Sequence, residues 1–194
     1  MLLSRVVLCV IGFAVAGSGL QERPPSARLL NVAPSFALKD SEGKRHLLNE
    51  YEKGRVLVIV FVSSESKICL QYFSRIARLE NDFREEQIHF LLIDVAHRLS
   101  LATVNNVYRN AGITAPVLHD AELSVSRWYN VDMVPAAFVL DAQRFVQYLG
   151  QIDDNIDESR VARSPLHAAL ESYVRGSEIM EKKTLLFGSP IRPN

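Results

Sequence analysis

The feature that most constrains this chain is an apolar run, RVLVIVFV at residues 55–62, which leads directly into a polar loop and a helical pattern. The run is rich in β-branched residues and shows no alternation of apolar and polar positions. Such a run predicts a strand buried on both faces, as in a sheet that helices cover on both sides. The loop that follows, SSESKIC at residues 63–69, offers three serines and one cysteine. Loops at this place often carry function in α/β proteins, so the content of this loop is the central question.

The rest of the chain alternates between strand and helix patterns. From Cys69 to Glu86 the apolar residues follow helical spacing, and Arg75, Arg78, Glu80 and Asp82 lie mostly off that stripe. The remaining patterns predict strands near residues 33–38, 88–96, 115–120, 136–141 and 145–152, and helices near residues 100–111, 121–130 and 165–175. This order predicts an α/β fold whose central sheet is mostly parallel and flanked by helices. A closing hairpin adds an antiparallel edge, which makes the sheet mixed.

The N-terminus has the pattern of a secretory signal peptide. Arg5 precedes an apolar stretch at residues 6–16, and Ala14-Val15-Ala16 fits the small-x-small cleavage pattern. A membrane-spanning helix needs about 20 apolar residues, and this stretch is shorter. We therefore expect a signal peptide at residues 1–19, a linker at residues 20–32, and a protein that is secreted, periplasmic or otherwise in the cell envelope. The alternatives are an uncleaved anchor and a disordered tail.

The cysteine count limits the redox chemistry. The chain has two cysteines, Cys9 and Cys69, and signal cleavage would remove Cys9. The mature chain would then form no internal disulfide, and any two-thiol mechanism would need a second molecule.

The charge balance limits the partners. Lys and Arg total 22, as do Asp and Glu, so the net charge is zero. No basic excess points to nucleic acid, and no polybasic run points to an anionic membrane surface. We expect no nucleic-acid partner and no membrane span after signal cleavage.

Two long segments follow a recognisable family pattern, residues 33–62 (APSFALKDSEGKRHLLNEYEKGRVLVIVFV) and residues 110–154, which include GITAPVLHD and YNVDMVPAAFVLD. They resemble the redoxin group of the thioredoxin superfamily, the alkyl hydroperoxide reductase/thiol-specific antioxidant family. The resemblance implies a thioredoxin-like three-layer sandwich over residues 33–155, followed by a C-terminal helix and extended tail at residues 156–194. Pro135 falls where the family places a cis-proline that faces the active loop.

The tail is similar to a narrower group of bacterial envelope redoxins, which carry a late Gly-Cys-x-Ile. Here the corresponding residues are Gly188-Ser189-Pro190-Ile191.

The resemblance also implies which residues would carry the chemistry. Redoxins use a thiolate in the first turn of the helix, where the helix dipole and free backbone N–H groups lower its pKa. Aligned on Phe61, the nucleophile position is Ser66 and the second position is Cys69, with Lys67 where proline is usual. A serine hydroxyl is not ionised near pH 7 and forms no disulfide, so the redox site is degenerate at Ser66 and again at Ser189.

Two interpretations of function remain open. In the first, the chain keeps the scaffold and the groove beside Pro135 and has a binding or accessory role, with an envelope protein as partner. In the second, it is a thiol-disulfide oxidoreductase or thiol-specific antioxidant that uses Cys69 as a single thiol with an external thiol or disulfide. A buried Cys69 that only fills core space belongs to the first interpretation. A thiolate favoured by Lys67 and the helix N-terminus belongs to the second.

An acidic segment, DDNIDE at residues 153–158, resembles the start of a calcium-binding loop. Its sixth position is Glu158 and its twelfth is Ser164, where such loops need glycine and glutamate. The segment therefore predicts a solvated acidic turn, and we expect no metal and no cofactor.

Overall fold

The computed structural model describes residues 32–51 and 56–192, so the predicted signal peptide and almost all of the predicted linker lie outside the described residues. In these ranges no helix has the length and hydrophobicity needed to cross a membrane. The strands are β1 (Ala37–Asp40), β2 (Arg45–Leu47), β3 (Val56–Val62), β4 (Ile88–Asp94), β5 (Val117–His119), β6 (Met133–Val134), β7 (Ala136–Leu140), β8 (Val146–Gly150) and β9 (Ser189–Pro190). The helices are α1 (Lys67–Asp82), α2 (Leu101–Asn110), α3 (Ser124–Trp128) and α4 (Pro165–Val174).

Seven strands form one mixed sheet in the order β2-β1-β5-β4-β3-β7-β8. This confirms the predicted α/β fold with a mixed central sheet. The expectation of a mostly parallel sheet is wrong, because only the β3–β4 and β4–β5 pairs are parallel. The short α3 explains the reversal at β7, which pairs antiparallel with β3. Its five residues span only about 7.5 Å, too little to return the chain along the sheet, so β7 starts at the end where β5 finishes.

The strand β3 lies inside the core, between β4 and β7. All seven of its residues are buried, as its unbroken apolar run predicts. The ring of Phe61 packs against Tyr129, just after α3, and against Phe138 of β7, with centroid distances of 5.3 and 5.7 Å. Phe73 of α1 contacts Tyr108 of α2 with ring centroids 4.7 Å apart. These contacts fix the end of β3 and the start of α1, between which the loop at residues 63–66 is held.

The acidic segment at residues 153–158 is organised by a buried arginine of α1. Arg75 Nη1 donates to Asp153 Oδ2 at 2.6 Å and to the carbonyl oxygen of Asn155 at 2.8 Å, and Arg75 also donates to the carbonyl oxygen of Ile156. The Arg75 and Asp153 side chains are only 6% and 4% exposed. The predicted solvated turn is therefore wrong at Asp153. A local pattern misses the pair because its partners are 78 positions apart in sequence.

The C-terminal tail lies on the domain. The backbone N–H of Leu149 in β8 donates to the carbonyl oxygen of Lys182 at 2.9 Å, and that of Thr184 donates back to the carbonyl oxygen of Leu149 at 3.0 Å. Farther along, β9 forms a small antiparallel ladder with β6. The tail thereby reaches the strand that directly precedes Pro135.

Candidate functional site

The site begins at Ser66, the residue that caps the N-terminus of α1. Its backbone is extended, and its Oγ accepts a hydrogen bond from the backbone N–H of Cys69 at 3.1 Å. Its own N–H donates to the carbonyl oxygen of Ser63 at 3.1 Å, which closes a tight turn. Serine is among the preferred N-cap residues because its oxygen satisfies a helix N–H that has no partner within the helix. Ser66 therefore has a structural role that needs no chemistry.

Two carboxylates hold the loop at residues 63–66 against the chain that follows β4. Asp94 Oδ1 accepts from the N–H groups of Ser64 and Ala96 at 3.2 and 2.8 Å. Glu65 Oε1 accepts from the N–H of Leu99 at 3.0 Å. Asp94 is fully buried, and burial raises the pKa of its carboxyl group against the opposing effect of these hydrogen bonds. The loop is thus fixed by its surroundings before any ligand is present.

Cys69 lies in the first turn of α1 as a free thiol with no exposed surface. Burial raises the pKa of the Cys69 thiol to about 11. Hydrogen bonds from Ser63 and Ser66 act in the opposite direction but do not offset the burial, and the nearby Asp94 carboxylate raises the pKa further. The effect of burial on the thiol pKa therefore outweighs that of its position at the helix N-terminus.

The peptide bond between Val134 and Pro135 is cis, at the position that the resemblance implied. In the β6–β9 ladder Val134 is the partner of Ser189. This pairing brings Ser189 Oγ to 2.6 Å from Ser66 Oγ. The structure therefore brings Ser66, the cis-proline and Ser189 together in one place.

Sequence reasoning singles out each of these residues but does not place Ser189 against Ser66. The only sequence signal was the likeness of Gly188-Ser189 to the Gly-Cys of envelope redoxins.

A cavity of about 310 Å³ opens beside the two hydroxyl groups. Its walls come from the loop at residues 63–66, from residues 95–98 after β4, from Val134 and from residues 189–192 of the tail. His97, Arg98 and Arg192 are in this lining, so the walls carry polar and basic groups next to apolar ones. In the described part of the chain no group of three or more His, Cys, Asp or Glu residues is placed to hold a metal ion.

The mixed sheet, the loop that caps α1 and the cis-proline beside it define a thioredoxin-like protein. The sequence profile of the AhpC/TSA family matches residues 30–149, more than half of the 194 residues. The chain belongs to that family, which confirms the resemblance.

Relatives with described activities include thiol-disulfide oxidoreductases and a peroxiredoxin. The thiol-disulfide oxidoreductase ResA of Bacillus subtilis (strain 168) is 24% identical over 138 residues, which cover 71% of this chain and 75% of ResA. A hypothetical protein of Sinorhizobium meliloti 1021 superposes with a TM-score of 0.77 at 22% identity, covering 84% of this chain and 93% of its own. A secreted disulfide oxidoreductase of Mycobacterium tuberculosis superposes with a TM-score of 0.56 at 16% identity, covering 73% and 95%. The two structural matches establish the shared fold.

Proposed function

We propose that this chain is an exported redoxin-fold protein whose thiol-disulfide site has been replaced by a pair of hydroxyl groups, and that it has a binding or accessory role in the cell envelope. The observation that carries the proposal is the 2.6 Å contact between Ser66 Oγ and Ser189 Oγ at the capped end of α1. In this family a nucleophilic thiol belongs at the first of these positions. A pair of hydroxyl groups at these positions lacks the thiol that the chemistry of the family requires.

The chemical argument rests on what thiol-disulfide exchange requires. A thiolate attacks a substrate disulfide and releases one substrate thiolate, and a second thiolate then attacks the mixed disulfide and releases the other. Two thiols thereby become a disulfide, and the substrate disulfide takes up their two electrons and two protons. Neither hydroxyl can take part, because serine is not ionised near neutral pH and forms no disulfide. Cys69, with its pKa raised to about 11, would be a thiolate in only about one molecule in 10⁴ at pH 7.

The parts of the site that suit binding are retained. The cis bond at Pro135 and the cavity of about 310 Å³ beside it are both present. The envelope location rests on the signal-peptide pattern at residues 1–19 and agrees with the secreted relative from Mycobacterium tuberculosis.

The second candidate is a single-thiol oxidoreductase or thiol-specific antioxidant that works through Cys69. The observation in its favour is the place of Cys69 in the first turn of α1. Hydrogen bonds from Ser63 and Ser66 there act to lower the thiol pKa, against the larger effect of burial. Such an enzyme would need an external thiol to complete its cycle, since the described residues contain no other cysteine.

Restoring one thiol tests the proposal directly. In a Cys9→Ser background, Ser66→Cys places a thiol at the helix cap and creates a Cys-x-x-Cys motif with Cys69. We expect the parent chain to reduce insulin disulfides no faster than its Cys69→Ala variant, and Ser66→Cys to gain activity. Ser63→Cys is the matched control, because Ser63 and Ser66 are both 9% exposed and lie in the same loop, but only Ser66 caps α1. Disulfide or peroxide reduction by the parent chain that disappears in Cys69→Ala would refute the proposal and support the enzyme.

A further inference from the structure

We propose that residues 187–192 form a strap that closes the site from within the same chain and that releases independently of the rest of the tail. The strap regulates access to the site described above, so its biological meaning rests on the proposed function. Its existence as a separable element rests only on contacts within the chain.

The docked strap is held by a short set of contacts around β6. Pro190 pairs with Met133 and Ser189 with Val134 in the β6–β9 ladder. Beyond the ladder, the backbone N–H of Ile191 donates to the carbonyl oxygen of Asp132 at 2.8 Å. The Ser66–Ser189 hydroxyl pair adds a side-chain contact between the strap and the α1 cap.

Gly188 allows this close approach. Its φ of +152° is one that residues with a side chain rarely adopt. A Cβ on Gly188 would overlap the carbonyl oxygen of Val134 and lie 3.2 Å from Cδ of Pro135. Only glycine therefore fits at this position when the strap lies on β6 beside the cis-proline.

The segment before the strap has a separate anchor. Thr184 Oγ1 accepts from the backbone N–H of Gln151 at 2.9 Å and contacts the Tyr148 hydroxyl at 3.0 Å. A side chain at Gly150 would overlap Thr184, so the glycine at this position of β8 leaves room for the Thr184 side chain. Leu185, directly after it, is 88% exposed. Thr184 therefore anchors the chain, and release of the strap can begin at the exposed Leu185 that follows it.

The strap itself has the features of an element of low local stability. Its ladder with β6 has two residue pairs, and Pro190 has no N–H to contribute to it. Phe187 and Ile191 of the strap pack against the core but remain partly exposed. A short ladder and only partly buried apolar residues are typical of segments that open without global unfolding. The strap forms one wall of the cavity, so an incoming partner at Ser66 meets the strap first. Opening it would enlarge the cavity and expose the α1 cap.

An accessibility assay on the full chain tests the strap. Ser66→Cys in a Cys9→Ser/Cys69→Ala background puts the only thiol beneath the strap, and its alkylation by iodoacetamide reports how often the strap opens. Gly188→Ala is the release variant. Gly176→Ala is its matched control, because Gly176 also has a positive φ (+67°) and lies in the same C-terminal region, but a Cβ there would meet nothing within 4 Å.

We expect Gly188→Ala to raise the pH-independent alkylation rate constant of the thiol at position 66 at least about tenfold over Gly176→Ala. A tenfold rise corresponds to a loss of about 1.4 kcal/mol in the free energy with which the strap docks. In the same variant, amide hydrogen exchange should accelerate at Ile191 and stay slow at Thr184. That pattern also shows that the domain remains folded.

Two results would overturn the strap. One is an alkylation rate in Gly188→Ala within about twofold of the Gly176→Ala control. The other is loss of protection at Ile191 and Thr184 together, which would mean that the tail detaches as one piece. Neither readout needs any redox activity of the natural chain. The strap proposal can therefore be refuted while the proposed function stands, and the proposed function can be refuted while the strap proposal stands.

Discussion

The raised pKa of Cys69 predicts how slowly this thiol reacts in the native protein. The side chain has no exposed surface, and burial raises its pKa to about 11. At pH 7 about one molecule in 10⁴ would carry the thiolate, against about 3% for an ordinary cysteine with a pKa near 8.5. Ionisation alone therefore predicts alkylation about 300-fold slower than that of an exposed thiol. Burial adds to this, because the reagent must wait for a local opening.

The assay compares Cys69 with an exposed reference thiol in the same fold. In a Cys9→Ser background Cys69 is the only thiol. Cys69→Ala/Met180→Cys moves that thiol to position 180, the most exposed large apolar side chain among the described residues, at 91%. Iodoacetamide labelling of both proteins is followed from pH 6 to pH 11. The reference rate should level off near pH 8.5, whereas the Cys69 rate should keep rising about tenfold per pH unit beyond pH 9.

The reasoning fails if native Cys69 reacts within about tenfold of the reference thiol at pH 7 and its rate levels off below pH 8. Such a profile would mean an accessible thiolate, as the single-thiol enzyme requires. Circular dichroism at each pH checks that the fold persists, so that alkali-induced unfolding is not mistaken for titration.

Three further predictions concern stability, each measured by urea unfolding. A double-mutant cycle of Ser66→Ala and Ser189→Ala should give a coupling of about 1 kcal/mol, and additive effects would mean that the hydroxyl contact is absent in solution. Arg75→Met should cost about 3 kcal/mol or more because it leaves a buried carboxylate unpaired, whereas Arg78→Met, at an exposed ion pair, should cost less than about 1 kcal/mol. Equal losses would contradict the buried pair. Asp94 has a raised pKa, so its native carboxyl holds its proton more tightly, and its contribution to stability declines as pH rises from about 4 through that raised pKa. Asp94→Asn should therefore gain stability relative to the parent over that window, and a constant difference from pH 4 to 8 would refute the shift.

Sequence patterns predict the central elements well, because their signals are local. The run at residues 55–62 predicts β3, found at Val56–Val62, and the helical stripe from Cys69 predicts most of α1, found at Lys67–Asp82. Arg75 and Glu80 lie off that stripe, yet they are only 6% and 8% exposed. Glu80 accepts hydrogen bonds from the N–H groups of two residues of a distant loop, so its burial depends on partners that no helical period contains.

By itself the sequence determined the fold class and the residue type at position 66. The buried strand, the loop and the family pattern imply a redoxin fold, and residue 66, which we propose to be the nucleophile position, is a serine without a thiol. The tertiary structure decided the environment of Cys69 and the destination of the tail. Burial is a sum over contacts from several elements, and the Ser66–Ser189 contact joins residues 123 positions apart. Such contacts form only when the sheet, the cis-proline strand and the tail are assembled, so the hydroxyl pair and the strap are visible only in the folded chain.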